Sequence, residues 1–333
     1  MLAASRRSLF AMVLLTAFAG CTSVPFVKGP QPAGDGYAEP AFARTEPKSA
    51  GWALVLSSGA VRGFAHIGVL KAFDEAGLKP DLIVGTSAGA LVGALAASGL
   101  TGGELEALDW DLGVRLWNDW TIPRLGMLSG RSIFEFVNRT TTTHRIEDFP
   151  IRFAAVAVEA DRGCLQVFNR GDAGMAVQAS STVPLMVSPP RIGGRRYLDG
   201  ALASPLPVRI ARALGAQRIV AVDATYDPKE SSFNHIVDAF WRTSLVMRWA
   251  LTAIEAAEAD VLVAPRLPDS HDVRVDNKEV LIAAGEAAAR AALPAIAAML
   301  SKPPPADSGT ARAALRSMLC DDIAQHLLAK EHR

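Results

Sequence analysis

The chain has 333 residues, half of them hydrophobic, with 34 basic and 34 acidic side chains and a formal net charge of zero. That length supplies one large core or two ordinary ones. A neutral chain with scattered basic residues excludes a nucleic-acid binder that works through a basic stripe, so no nucleic-acid partner is expected. Cys21, Cys164 and Cys320 form no Cys-x-x-Cys pair and no His cluster at ligand spacing, which argues against structural zinc; no metal or cofactor is expected.

Residues 1–20 read as an export signal that is removed before folding. Arg6 and Arg7 give a positive start, and Leu9 to Phe18 form an apolar run too short to span a bilayer comfortably. Phe18-Ala19-Gly20-Cys21 resembles a bacterial lipobox, which marks Cys21 for lipidation and predicts membrane attachment through a lipid anchor. Ser5 to Phe10 also resembles a twin-arginine signal, so the export route stays open. Thr22 stands where an inner-membrane retention signal would have Asp, so the expected place is the cell envelope, on the outer membrane facing the periplasm. In an oxidising compartment Cys164 and Cys320 are able to pair, although nothing in their spacing favours it over two separate buried thiols.

Residues 21–50 are rich in Pro, Gly and Ala and read as a flexible tether. The folded domain is expected over 51–303, followed by a helical tail over 304–333. Trp52 to Leu56 is a continuous apolar run, as a strand covered on both faces requires. A small-residue loop over Ser57–Gly63 leads into a helix with Phe64, Ile67, Leu70 and Phe73 on one face, closed by Gly77. A second apolar run, Leu82 to Val84, meets Gly85-Thr86-Ser87-Ala88-Gly89, and a helical pattern follows at once. That is Gly-x-Ser-x-Gly between strand and helix, a nucleophile elbow. The serine of such a turn is strained, so Gly85 and Gly89 must be small for strand and helix to approach. The helix start beyond Ser87 favours negative charge on a bound carbonyl oxygen. Two strand–loop–helix units about thirty residues apart suit the right-handed crossovers of an α/β sheet.

Further along, Thr101 to Glu104 is a capping box. The stretch Leu112 to Thr143, with Trp117, Trp120, Leu125, Met127 and Leu128, reads either as a lid or acyl-chain groove or as core aromatics. Ile151–Glu159 and Leu165–Phe168 read as a hairpin through Asp161-Arg162-Gly163. Arg195 to Leu198 is a short strand that delivers Asp199 to its end, and Gln217 to Asp223 is another buried strand. Val237–Glu258 and Glu279–Leu300 are long helices, and Ala311–Lys330 an amphipathic one.

The Ser57–Gly63 loop lacks the full glycine pattern of a dinucleotide site and the Lys-Ser/Thr ending of a phosphate loop. Its small residues suit an oxyanion hole beside the elbow. For the base, Asp199 competes with a His-containing triad, for which His271 beside Asp269 and Asp272 is the best placed of His144, His235, His271, His326 and His332. His66, on the first turns of a helix, reads as structural.

Three motifs in this order, Ser58-Gly-Ala-Val-Arg-Gly63, Gly85-Thr-Ser-Ala-Gly89 and Asp199-Gly200-Ala201, resemble the patatin-like phospholipase family over roughly residues 51–300. The resemblance implies an α/β class fold, a three-layer α/β/α arrangement with a central, mostly parallel sheet. It implies a Ser–Asp dyad of Ser87 and Asp199 without histidine, oxyanion donors on the backbone around Ser58, Gly59 and Ala60, and Arg62-Gly63 supporting that loop. The activity implied is a serine acyl-hydrolase of phospholipase A or lysophospholipase type, acting on phospholipids or other acyl-ester lipids. Ser57, Ser58 and Ala60 depart from the family's glycine-rich pattern, and strain is expected at serine if it adopts positive φ. Two other functions fit the same residues: a catalytically weak lipid-binding envelope lipoprotein, and a His-dependent esterase for small esters.

Overall fold

The computed structural model describes residues 50–110, 119, 125–230, 234, 236–268, 278–303 and 318–320. The first half runs β1 (Ala53–Leu56), α1 (Phe64–Glu75), β2 (Leu82–Thr86), α2 (Ala88–Ala97), α3 (Gly102–Ala107), β3 (Gly126–Leu128), α4 (Arg131–Thr140), β4 (Arg152–Glu159) and β5 (Leu165–Phe168). The second half runs α5 (Ala173–Ser180), β6 (Leu185–Val187), β7 (Arg191–Ile192), β8 (Arg195–Asp199), α6 (Val208–Ala213), β9 (Ile219–Val222), α7 (Ile236–Ala256), β10 (Val261–Val263) and α8 (Lys278–Ser301). The tandem strand–loop–helix units are where the apolar runs put them. Thr101 starts α3 through the expected capping box, its side chain accepting from the Glu104 amide while Glu104 reaches back to the Thr101 amide.

Eight strands form one sheet in the order β10-β9-β1-β2-β4-β8-β7, with β5 also on β4. From β10 to β4 neighbours are parallel. The β4–β5, β4–β8 and β7–β8 pairs are antiparallel, and β4–β5 is the hairpin expected through Asp161–Gly163. Strand alternation divides the core in two. Leu54, Leu56, Ile83, Phe153 and Ala155 pack with Ile67 and Phe73 of α1 and Leu95 of α2. Ala53, Val55, Leu82, Val84 and Val156 face the other way, against Val208, Ile210 and Ala211 of α6. Covering both faces explains the unbroken apolar runs, and each fully buried Leu or Val contributes about 1.5–3 kcal/mol. The result is the three-layer α/β/α arrangement with a mostly parallel central sheet.

β4 is the strand that positions the site. Its residue Val156 pairs with Thr86 at the end of β2, and its next residue, Ala157, pairs with Asp199 at the end of β8. On its other edge β4 carries β5, paired with the same Val156 and Ala157. Strands β2 and β8 therefore share one edge of β4 and meet end to end, which brings the residue after Thr86 to Asp199.

The pairing of Cys164 and Cys320, left open by the sequence, is present: they form a disulfide with Cα atoms 5.1 Å apart. One expectation changes. Residues 318–320, inside the helix expected over Ala311–Lys330, are not helical: Met318 lies in a turn and Leu319 bridges to Leu165 of β5. There the Leu165 amide donates to the Met318 carbonyl at 2.7 Å and the Cys320 amide to the Leu165 carbonyl at 3.2 Å. The pairing spans 156 residues, so no local pattern announces it. The signal and tether over 1–49, Cys21, Trp117, Trp120, His235, His271, His326, His332 and the remainder of the tail lie outside the described residues.

Candidate active site

Ser87 stands alone between β2 and α2, with φ 55° and ψ −119°. Positive φ in a non-glycine residue is strained, and here it is held by packing on both sides. A Cβ on Gly85 would lie 2.3 Å from the Gly89 carbonyl oxygen, and one on Gly89 would lie 2.3 Å from that of Leu56. Both glycines are therefore required by close approach, as the motif implies. The Ser87 amide donates to Ser180 Oγ at 2.9 Å, and that hydroxyl donates onward to the Val156 carbonyl at 2.6 Å. Thr86 Oγ1 donates to the Ser204 carbonyl at 2.9 Å, fixing the segment after β8 to the elbow.

The Ser87 hydroxyl donates to Asp199 Oδ2 at 2.7 Å. Asp199 Oδ1 accepts from the Ala201 amide at 2.8 Å, so both carboxylate oxygens are engaged. Gly200 leaves room for this turn, since a Cβ there would lie 2.2 Å from the Val156 carbonyl oxygen. Burial pushes the Asp199 carboxyl above its ordinary value; the bonds from Ala201 and Ser87 and the charge of Arg248 pull it back. A raised carboxyl is the better proton acceptor for a hydroxyl. Among the described residues no histidine hydrogen-bonds to either member of the pair. His66 is fully buried, with Nε2 donating to the Ser57 carbonyl at 2.9 Å, and burial pushes its pKa down to about 4, so it is a neutral structural group.

The loop before α1 lies against the elbow: a Cβ on Gly63 would come within 2.6 Å of the Ala88 Cβ. Two of its details correct the sequence reading. The Ser58 amide is already spent on the Pro205 carbonyl at 2.8 Å, so Ser58 offers no oxyanion donor. The Gly59 and Ala60 amides have no such partner among the described residues. The strained residue is Ala60, at φ 47°, and not a serine. Ser57 anchors the loop, its hydroxyl accepting from the Ala224 amide at 2.8 Å and donating to the Ser58 carbonyl at 2.9 Å. Arg62 holds neighbouring segments, as expected: it donates to the Thr225 carbonyl at 3.0 Å and the Pro268 carbonyl at 2.7 Å and lies over the Tyr226 ring at 4.2 Å.

A cavity of about 460 Å³ opens beside Asp199, lined by Val183, Pro184, Asp199, Leu202 and, from α7, Met247 and Arg248. Among the described residues the apolar wall comes from α7 and the segment before β6; of the stretch Leu112–Thr143, residues 112–118 and 120–124 lie outside the described residues. Of that stretch, Arg131–Thr140 is the amphipathic helix α4, and Gly126–Leu128 pairs with β6.

The sequence profile of the patatin-like phospholipases matches residues 54–212. Residues 54–212 belong to the patatin-like phospholipase family. Over 179 residues the chain is 34% identical to the neuropathy target esterase sws of Drosophila melanogaster, covering 51% of this chain and 12% of that protein. It is 32% identical over 205 residues to the lysophospholipase NTE1 of Coccidioides immitis, covering 59% and 13%. With an uncharacterized NTE family protein of Mycobacterium tuberculosis the identity is 34% over 176 residues, covering 51% and 48%. The aligned region thus spans about an eighth of the first two relatives and just under half of the third. Among solved structures, VipD from Legionella pneumophila aligns with a TM-score of 0.47 and 13% identity, covering 73% of this chain and 66% of that one.

The patatin-like profile stops at residue 212, and several residues of the site lie beyond it or outside any motif. Glu255 of α7 is buried and accepts from Ser204 Oγ at 2.6 Å and the Leu206 amide at 3.0 Å, which ties α7 to the segment following Asp199. Burial pushes its carboxyl up to about 8. Arg248 and Ser180 had no sequence signal either, because their contacts cross the fold. Only the long helix of α7 was visible. The one metal-type cluster among the described residues, Glu159 with Cys164 and Cys320, has both sulfurs in the disulfide and offers no thiolate.

Proposed function

We propose that the protein is a serine acyl-hydrolase for lipid esters, of phospholipase A or lysophospholipase type, working through Ser87 and Asp199 without metal or organic cofactor. The observation that carries this reading is the 2.7 Å hydrogen bond from a strained elbow serine to a buried carboxylate. Asp199 takes the hydroxyl proton as Ser87 Oγ attacks the ester carbonyl. The Gly59 and Ala60 amides and the start of α2 hold the developing oxyanion. Collapse expels the alcohol, which leaves with the proton from Asp199, and the acyl group stays on Ser87. Water then attacks the acyl-enzyme, giving a proton to Asp199, which returns it to Ser87 Oγ as the fatty acid leaves. Names of relatives support the substrate class: an esterase and a lysophospholipase align over this region.

The envelope location belongs to the same proposal. Its support is the lipobox-like Phe18–Cys21 and the Cys164–Cys320 disulfide, which suits an oxidising compartment. A diacylglyceryl chain plus an N-acyl chain on Cys21 would make attachment stable where a single chain would not.

The test is labelling and kinetics together. A fluorophosphonate should modify Ser87 alone, and Ser87→Ala and Asp199→Asn should each abolish turnover of a short-chain ester while the fold survives. Robust turnover by Asp199→Asn, with loss in His271→Ala, would replace the dyad by a His-dependent site. Lipid binding with no labelling would leave only a lipid-binding lipoprotein.

A further inference from the structure

Arg248 lines the same cavity as Asp199, one helical turn after Thr243 and Ser244, which line it too. The other walls are chiefly apolar, including Val183, Leu202 and Met247. The side chain is only partly exposed. Among the described residues its guanidinium gives one hydrogen bond, from Nε to the Ser244 carbonyl on its own helix at 3.3 Å, and no carboxylate stands within ion-pair distance. Asp199 is close enough to attract it electrostatically, but both of that group's oxygens already accept other bonds. A guanidinium keeps its charge and carries five donors, so most of its bonding capacity faces an otherwise apolar cavity. A charged fork set among apolar walls, with no carboxylate in ion-pair range, is available to an anionic ligand that enters the cavity.

We infer that Arg248, assisted by the Ser244 hydroxyl, is the subsite for the phosphate of the substrate, so that the hydrolase prefers phosphate-bearing acyl esters over neutral acylglycerols; the Thr243 hydroxyl is already spent on the Ala239 carbonyl at 2.8 Å. This rests on the Ser87–Asp199 reading above and adds what the site selects. A planar fork matches two phosphate oxygens. The apolar walls take the acyl chain, and the glycerol places the phosphate a few bonds from the scissile ester.

The experiment compares a lysophosphatidylglycerol with the monoacylglycerol of the same acyl chain, both below their aggregation thresholds and at a pH well above the acid limb. Wild-type protein should favour the phosphate ester, and Arg248→Gln should shrink the ratio of the two kcat/KM values at least about tenfold, mostly through KM. Arg248→Lys, which keeps the charge and loses the fork, should recover part of the ratio, and thermal melts check that each variant folds. An unchanged ratio, or an equal fall on both esters, overturns the subsite while leaving the hydrolase reading intact. A binding arm stands free of catalysis: in a Ser87→Ala background, calorimetric titration with lysophosphatidylglycerol should weaken at least about tenfold on adding Arg248→Gln. Unweakened binding there also overturns the subsite. Inhibition by inorganic phosphate that Arg248→Gln relieves, without any change in ester preference, would assign the cation to free phosphate and overturn the lipid reading.

Discussion

Gly85 and Gly89 touch across Ser87, with no room for a Cβ on the first before the carbonyl oxygen of the second. The atoms a Gly85 Cβ would meet are all backbone, including the Ala90 nitrogen at 2.6 Å, so no side chain can swing aside. Gly85→Ala should therefore cost more than the 1–3 kcal/mol or so of ordinary overpacking and leave ester turnover undetectable. Gly103→Ala is the control. It lies on α3 with nothing near its Cβ, and should gain up to about 1 kcal/mol of stability with activity untouched. Thermal melts and esterase assays on both variants check this; a stable, active Gly85→Ala protein would contradict the packing argument.

The loop before α1 yields a separate test. Gly59 has φ 172°, which any residue adopts, so its requirement is space: a Cβ would sit 2.7 Å from the Ala224 carbonyl oxygen. Gly59→Ala should push the loop off β9 and misplace its amides. The expected result is a fall in kcat of at least about a hundredfold with KM changed only a few-fold. Ala60→Gly should relieve the positive φ and raise stability by several tenths of a kcal/mol or about 1. Near-normal kcat in a folded Gly59→Ala enzyme would move the oxyanion elsewhere.

The dyad predicts the direction of a pH profile. Asp199 must be unprotonated to accept the serine proton, and burial raises its pKa in the folded protein. Activity should fall as pH drops through that raised pKa, so the acid limb lies above the ordinary carboxylate range. The Arg248 charge pulls the same pKa down. Arg248→Gln should therefore shift the acid limb of kcat/KM to higher pH, measured on a neutral ester. A limb that stays in place or moves down would sever Arg248 from Asp199.

Glu255 predicts a pH effect on stability. Its carboxyl is raised from an ordinary 4.5 to about 8 in the fold, so the folded state holds a proton that the unfolded state has lost. The stabilising contribution is complete below pH 4.5 and disappears as pH rises through about 8. Glu255→Gln stays neutral, and its Oε1 still accepts from the Leu206 amide while its Nε2 donates to Ser204 Oγ. The melting temperature of the variant should match the wild type in mild acid and exceed it by at least about 5 °C in mild alkali. Parallel melting curves at all pH values would show that Glu255 titrates normally.

The legible parts of the fold were those with a local conformational demand. Gly85, Ser87 and Gly89 encode a sharp turn within five residues, and Asp199-Gly200-Ala201 encodes the acid together with the amide that orients it. The strands were readable because burial on both faces removes polar residues from them. What escaped were contacts set by distant partners. The Ser58 amide meets Pro205, Glu255 meets Ser204, and Cys164 meets Cys320, at separations that leave no periodic trace. The part of the cavity wall that α7 supplies was not legible either: Val237–Glu258 read only as a long helix, and nothing in its pattern ties it to Asp199.

The bond between Cys164 and Cys320 closes all the chain between them into a ring, and the ring divides the proposed catalytic pair. Asp199 and α7 lie on the closed part, while Ser87 and the Gly59–Ala60 amides lie on the open chain that precedes it. A single backbone cut inside the ring leaves one covalent molecule, whereas a cut before it releases a fragment. Synthesis meets the same asymmetry in time. The nucleophile's half emerges first, and the half that carries the acid cannot be locked until residue 320 has been made.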